Sequence, residues 1–329
     1  MKLATFAVPS PAGPVRRIGA LAEGWLVDLQ AAYAAYLART DPGCEAERLA
    51  ALLIPDDMVA FLGHGQLGWQ AAAQALEEGL RIEEAFGRRT RYQLGEVRLL
   101  APVPRPRVIR DFLTFEGHMR NASRALGRGG EIPPAWYEVP AYYKGDPDTV
   151  VGPDADVVMP RYTQQFDFEL ELGMVIGRRG KDIPVEEAHR YIAGFTIFND
   201  FSARDQQMRE APIGMGPSKG KDFDTGNAIG PYLVTPDELD VTNLRMVARV
   251  NEEIWSEGSS RGMHFSFEQL IAHVSQSETI YPGELWGSGT VTNGCGLELG
   301  RSLQPGDVVE LEVEGIGILR NRVVRAVEG

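Results

Sequence analysis

Phe166-Asp167-Phe168-Glu169-Leu170-Glu171-Leu172 alternates large apolar and acidic residues without a break. That alternation is the period of a β-strand with one face on a core, so Phe166, Phe168, Leu170 and Leu172 anchor it and the three acids share the other face. Same-face neighbours on a strand lie roughly 6.5–7 Å apart, near enough for two long carboxylates to lean onto one ion. The acidic stripe reads in two ways: as a solvated strand face, the ordinary fate of alternating charges, or as part of a cation site.

Working outward, two other apolar runs end at an acid. Val108-Ile109-Arg110-Asp111-Phe112 is a short strand, and Ala193 to Phe201 is a largely apolar strand that carries Asp200 near its end. Ser202, with Asp205 three residues on, resembles a capping box opening a helix. A further helix is predicted through Ala122 to Ala125, ahead of Gly127-Arg128-Gly129-Gly130, which is too flexible to stay rigid. Residues 135–160 are rich in Pro, Gly, Asp and Tyr, including Tyr142-Tyr143-Lys144-Gly145, and read as loops. Val185 to Ile192 and Ser266 to His273 read as helices, with short strands filling most of the remainder.

Before all this lie strands at Leu3 to Val8 and Gly24 to Asp28, and helical stretches at Ala31 to Leu37, Glu47 to Leu53 and Gly68 to Glu77. The prolines of Pro102-Val103-Pro104-Arg105-Pro106 suit a stiff connector. They place a boundary between a small N-terminal domain, residues 1–101, and a larger one, residues 102–329. The fold class expected is α+β with strands dominant.

Acidic residues outnumber basic ones by 46 to 33, a net charge of -13, which argues against general attraction to nucleic acid or anionic lipid. No apolar run reaches bilayer length, and the apolar run before Pro9 is too short for a secretory signal. Cys44 and Cys295 are too few for a disulfide framework or a zinc site, so a cytoplasmic setting is expected. His64, His189, His264 and His273 have no motif around them.

Asp111, Glu169, Glu171 and Asp200 sit at or near strand ends. Several carboxylates, with water completing the shell, make a site for a hard cation: Mg²⁺, Mn²⁺ or Ca²⁺ rather than zinc.

Phe166-Asp-Phe-Glu-Leu-Glu-Leu-Gly173, Phe198-Asn-Asp-Phe-Ser-Ala-Arg-Asp205 and Gly220-Lys-Asp-Phe-Asp-Thr225 resemble the hallmark segments of the fumarylacetoacetate hydrolase family. Gly287-Ser288-Gly289-Thr290 and Gly296-Leu297-Glu298-Leu299 also resemble it, in the expected order. The likeness runs from about residue 101 to the end. It implies that family's mixed β-sandwich roll for the C-terminal domain, with Asp111, Glu169, Glu171 and Asp200 as metal ligands. By the same resemblance His118 activates water, Glu298 orients it, and Lys221 stabilises the developing oxyanion or enolate. Tyr143, Gln207 and Thr290 match substrate-contacting positions, with Arg204 beside them, while Lys221 and Thr225 border the metal. Two tyrosines of the fumarylacetoacetase proper are replaced by Leu113 and Ala211, and no arginine within 120–128 is singled out.

The function implied is divalent-metal-dependent hydrolysis of a carbon–carbon bond in a small diketo acid, fumarylacetoacetate- or acylpyruvate-like, in aromatic or amino-acid catabolism. A homodimer is implied too. The nearest alternative keeps the site and changes the reaction: decarboxylation of a 2-oxo acid, hydration, or keto–enol isomerisation. A non-catalytic Ca²⁺-binding protein explains the acids but leaves His118, Lys221 and Glu298 without a purpose. The glycines after His118 predict a segment that closes over bound substrate.

Overall fold

Two open sheets stack face to face: the central strands of the larger are buried on both faces, while Val308–Val313 and Gly317–Arg325 of the smaller alternate in burial. The computed structural model describes residues 1–326. A 12-stranded mixed sheet runs, in its central part, through Lys2–Val8, Asn227–Val234, Ile192–Asp200, Leu170–Ile176, Leu285–Gly287 and Ile109–Phe112. A 5-stranded sheet made of Asp156–Met159, Gly317–Arg325, Val308–Val313, Arg245–Val250 and Glu253–Ser259 covers one of its faces. Leu172 and Ile197 of the large sheet share a core with Met246, Leu311 and Val323 of the small one. This is the strand-rich sandwich that the sequence implies.

The opposite face is covered by helices from the first hundred residues. Asp28 opens the helix Leu29–Thr40 by accepting the Ala31 N–H at 3.0 Å. Ala32, Phe61 and Ala71 of this helical layer pack on Val175, Phe198, Ile229 and Leu285. The strand Lys2–Val8 extends the large sheet itself, with Lys2 opposite Val234 and Leu3 opposite Leu233.

Alternation then dictates where the acids go. Ile109, Phe198 and Leu285 face the helical layer, and two residues further along each strand, on the same face, stand Asp111, Asp200 and Gly287. Glu171 holds the same face of the central strand as Val175. Asp111 is opposite Gly287 in the register and Gly287 is opposite Gly173, so residues remote in sequence form one row across the sheet.

Several local expectations are corrected, among them the loops of 135–160, which include the strands Tyr142–Gly145 and Asp156–Met159. The acidic stretch is broken: Phe166–Asp167 pairs with Ser202–Ala203, and the long strand starts only at Leu170. Its polar face is not solvated, since Asp167, Glu169 and Glu171 are all buried. Ser202 is therefore a strand residue whose hydroxyl donates to the Asp200 carbonyl, and the helix Arg204–Glu210 has no side-chain cap. Finally, the predicted Ala122–Ala125 helix begins at Glu116 and includes His118. Its sparse apolar residues serve a cavity instead of a core, which is why periodicity understated it.

Candidate metal centre and proton-transfer dyad

Asp111, Glu169 and Glu171 each bring a carboxylate oxygen within 4.8 Å of the other two. Their approach depends on Gly287, where a Cβ would stand 2.2 Å from Asp111 Oδ1 and 2.7 Å from Glu171 Oε2. Glu171 is held by the Gly289 N–H at 3.2 Å and the Thr290 hydroxyl at 3.4 Å. Asp200 stands outside this close triad but is joined to it: Lys221 Nζ donates to Glu169 Oε2 at 2.6 Å and to Asp200 Oδ2 at 2.5 Å. The Tyr143 hydroxyl also donates to Asp200 Oδ2.

Burial, followed by repulsion from Asp200, pushes the Asp111 carboxyl well above its usual range, and burial with repulsion from Asp111 does the same to Glu171. Burial raises Asp200 as well, against the pull of Lys221. Glu169 differs: burial works against its charge, but Lys221 and Arg204 win and hold it far below the ordinary carboxylate range. Lys221, although buried, is kept charged by Asp200 and Glu169.

These residues fit a hard divalent cation. Asp111 Oδ1 and Asp200 Oδ1 are buried and receive no hydrogen bond, an arrangement that costs about 1–3 kcal/mol or more per group unless something positive meets it. Only oxygen donors are offered, which suits Mg²⁺, Mn²⁺ or Ca²⁺.

A stability prediction follows from the signs. Asp111, Glu171 and Asp200 have raised folded-state pKa values, so the metal-free protein loses stability as pH climbs above the unfolded carboxylate range. Glu169 shifts the other way and Lys221 shifts upward like the three acids, but their windows lie below about pH 4.5 and above about pH 10. Between pH 5 and 8 the first three dominate. Mg²⁺ or Mn²⁺ at one fixed concentration, about 100 times its Kd at pH 8, should stabilise by about 2.7 kcal/mol there, and the rise in Tm should be larger at pH 8 than at pH 5, where protons compete for the raised carboxylates. An equal or smaller rise at pH 8 contradicts this electrostatic picture.

Facing the acids is a buried pair. His118 Nδ1 lies 2.7 Å from Glu298 Oε1, and Glu298 Oε2 accepts from Asn121 Nδ2 at 3.0 Å and the Asn293 N–H at 2.9 Å. A carboxylate at Nδ1 fixes the proton there and leaves Nε2 as a base. The helix that presents His118 sits close because Gly117 has no side chain; a Cβ would meet Thr292 at 2.4 Å. His118, Asp111, Glu169 and Lys221 line one cavity of about 430 Å³, whose remaining wall is largely apolar and includes Met119, Leu126, Met208 and Leu297.

The other expected residues divide. Tyr143, Gln207 and Arg204 line this cavity, but Arg204 spends its nitrogens on Asp167, Glu169 and Gln207. Thr290 supports Glu171. Thr225 is not brought to the site: its hydroxyl donates to the Asp224 carbonyl and accepts the Val158 N–H at 2.8 Å. Within 120–128 Arg128 lines the cavity, whereas Arg120 pairs with Glu116. Gly127, Gly129 and Gly130 all take left-handed backbone, at φ +72°, +72° and +87°, conformations that fit the turns leaving the His118 helix. Gly287 and Asn121 carry no signal in the sequence, Gly287 because only the folded register shows what its absent side chain allows.

Comparison with known proteins adds four findings. A family profile described as "Fumarylacetoacetate (FAA) hydrolase C-terminal" matches residues 107–324. A human protein named oxaloacetate tautomerase FAHD2A, mitochondrial, is 35% identical over 277 residues, covering 82% of this chain and 81% of that protein. Among solved structures, a fumarylacetoacetate hydrolase from Exiguobacterium antarcticum superposes with a TM-score of 0.70 at 24% identity, covering 98% of this chain and all of that one. A maleylpyruvate hydrolase from Sphingobium sp. SYK-6, in complex with manganese(II) ion and pyruvate, also gives 0.70, at 21% identity, covering 99% of this chain and 100% of that one. No helix among the described residues is long and apolar enough to cross a membrane.

Proposed function

The chain belongs to the fumarylacetoacetate hydrolase family, and from that premise we propose that it is a divalent-metal-dependent enzyme of enolate chemistry, a keto–enol tautomerase of an oxaloacetate-like 2-oxo acid. The observation that carries the reading is that Asp111, a buried carboxylate with an unmet oxygen, and His118, whose Nδ1 is taken by Glu298, line one cavity. Asp111, Glu169, Glu171 and Asp200 would hold Mg²⁺ or Mn²⁺. When bound, such an ion supplies Lewis-acid stabilisation of negative charge on a ketone oxygen.

The chain's own residues do the rest. His118 Nε2 takes a proton from the carbon beside the ketone; that C–H electron pair moves into the new C=C bond, and the ketone oxygen becomes an enolate. Glu298 stabilises the imidazolium through Nδ1. Lys221, held charged by its two carboxylates, is the donor for the enolate oxygen. Delivery of that proton from the His118 imidazolium to the enolate oxygen gives the enol and restores the neutral ring, and the same steps in reverse order return enol to ketone. Apolar walls keep bulk water from the intermediate.

The dyad also favours a second reading, hydrolysis of a carbon–carbon bond in a diketo acid, with His118 taking its proton from water. One experiment separates the two. The ultraviolet absorbance of enol oxaloacetate is followed with Mg²⁺ or Mn²⁺ and with a chelated control, alongside product analysis on a panel of diketo acids. The tautomerase reading requires metal-dependent equilibration faster than buffer and metal alone, without cleavage. Cleavage of a diketo acid with no effect on oxaloacetate overturns it in favour of hydrolysis.

A further inference from the structure

We propose that Asp167, the acid of the central stripe to which sequence assigns no role, is the positioning residue that ties the carboxylate cluster to the His118–Glu298 pair. This rests on reading the site as a metal centre served by that pair.

Asp167 is 1% exposed and meets four N–H donors. Its Oδ2 accepts from Arg204 Nε at 2.8 Å and from the Leu297 N–H at 3.0 Å. Its Oδ1 accepts from the N–H groups of Gly296, at 2.7 Å, and Phe168, at 2.8 Å. Each side leads to the site through one intermediary. Arg204 Nη2 passes on to the Glu169 carboxylate at 2.7 Å. The backbone of Gly296 and Leu297 leads directly into Glu298. Gly296 must be glycine for this approach, since a Cβ there would stand 2.5 Å from Asp167 Oδ1.

Backbone pairing between Glu169 and Cys295 already sets the two segments side by side. What Asp167 adds is charge and direction. It shares with Glu169 the compensation of the buried Arg204 guanidinium, so Glu169 is aimed by an arginine that is itself aimed. At the other end it pins the turn on which Glu298 stands, and Glu298 in turn sets the ring of His118. Four donors on two oxygens is an arrangement only a carboxylate satisfies. An asparagine in its place has one acceptor oxygen, and its amide nitrogen confronts N–H donors in either orientation. Asp167→Asn is therefore a near-isosteric change that disturbs both arms at once.

Three readouts on the full chain test this. In Asp167→Asn, Mn²⁺ affinity by calorimetry should weaken about tenfold or more, the usual consequence of losing a partner of a metal ligand. Amide exchange in residues 294–300 should accelerate, and turnover at saturating Mn²⁺ should stay depressed about tenfold or more. Arg204→Gln, which cuts one arm only, should weaken Mn²⁺ binding while leaving exchange in 294–300 close to wild type. Unchanged Mn²⁺ affinity in Asp167→Asn, or unchanged exchange in 294–300, overturns the proposal. Should the variant not fold, the wild-type chain decides: Mn²⁺ loading should slow exchange in 294–300, and no change there overturns it equally. Affinity and exchange are read without substrate, so they judge Asp167 even if no 2-oxo acid proves to be turned over.

Discussion

His118→Ala lowers turnover by about 10²–10⁴-fold, the range expected when a positioned acid–base group is lost, while Mn²⁺ binds with close to its wild-type affinity. The two effects separate because His118 has no hydrogen bond to any of the four metal-side carboxylates; its partner is Glu298, across the cavity. Metal affinity should barely move, and kcat should carry the loss. A modest stability cost accompanies it. Glu298 Oε1 is left with only the weak Cys295 thiol contact at 3.6 Å, although Oε2 keeps Asn121 and Asn293. That cost is of the order of 1–3 kcal/mol. Steady-state kinetics with parallel Mn²⁺ calorimetry checks the prediction. Near-full turnover in His118→Ala would remove the dyad from the chemistry and leave the carboxylates to be explained alone.

The second large effect comes from Glu171→Gln, and its signature is two changes of opposite sign. Glu171 is wholly buried, and repulsion from Asp111 adds to its desolvation. Neutralising it relieves that conflict, so the metal-free variant should have a higher Tm than metal-free wild type. The same change removes one anionic oxygen donor, so Mn²⁺ affinity should fall by more than the roughly 10–100-fold that loss of an outer partner costs. Metal-dependent turnover should disappear with it. Thermal melts with and without Mn²⁺ show both at once. A lowered Tm in the metal-free variant would mean that Glu171 is a structural hydrogen-bonding group, not a carboxylate held under repulsion for a cation.

Much of this was legible in sequence because the acids obey the strand period. Phe166 to Leu172 announced a core face and an acid face, and Asp111 and Asp200 marked strand ends by ending apolar runs. Periodicity gave no sign that the acid face is also buried, since burial on both sides depends on the His118 helix and the N-terminal layer arriving from elsewhere. The Ser202 to Asp205 spacing imitates a capping box, but pairing of Ser202 with Asp167 keeps it in a strand. The His118 helix was undercounted because its few apolar side chains line a cavity. Motif likeness rather than physics pointed to His118 and Glu298, and only the fold brings them to 2.7 Å. It carried Thr225 too far, to a turn whose hydroxyl serves the Val158 N–H. Asp167 was visible throughout as part of the stripe, but the donors that define its role come from residues 204, 296 and 297.

Diffraction at the manganese edge from crystals of the full chain grown with Mn²⁺ tests the central claim most directly. One anomalous peak per chain is expected, bounded by oxygens of Asp111, Glu169, Glu171 and Asp200. A map with manganese bound only elsewhere, and these four side chains still arranged around Lys221 alone, would contradict it.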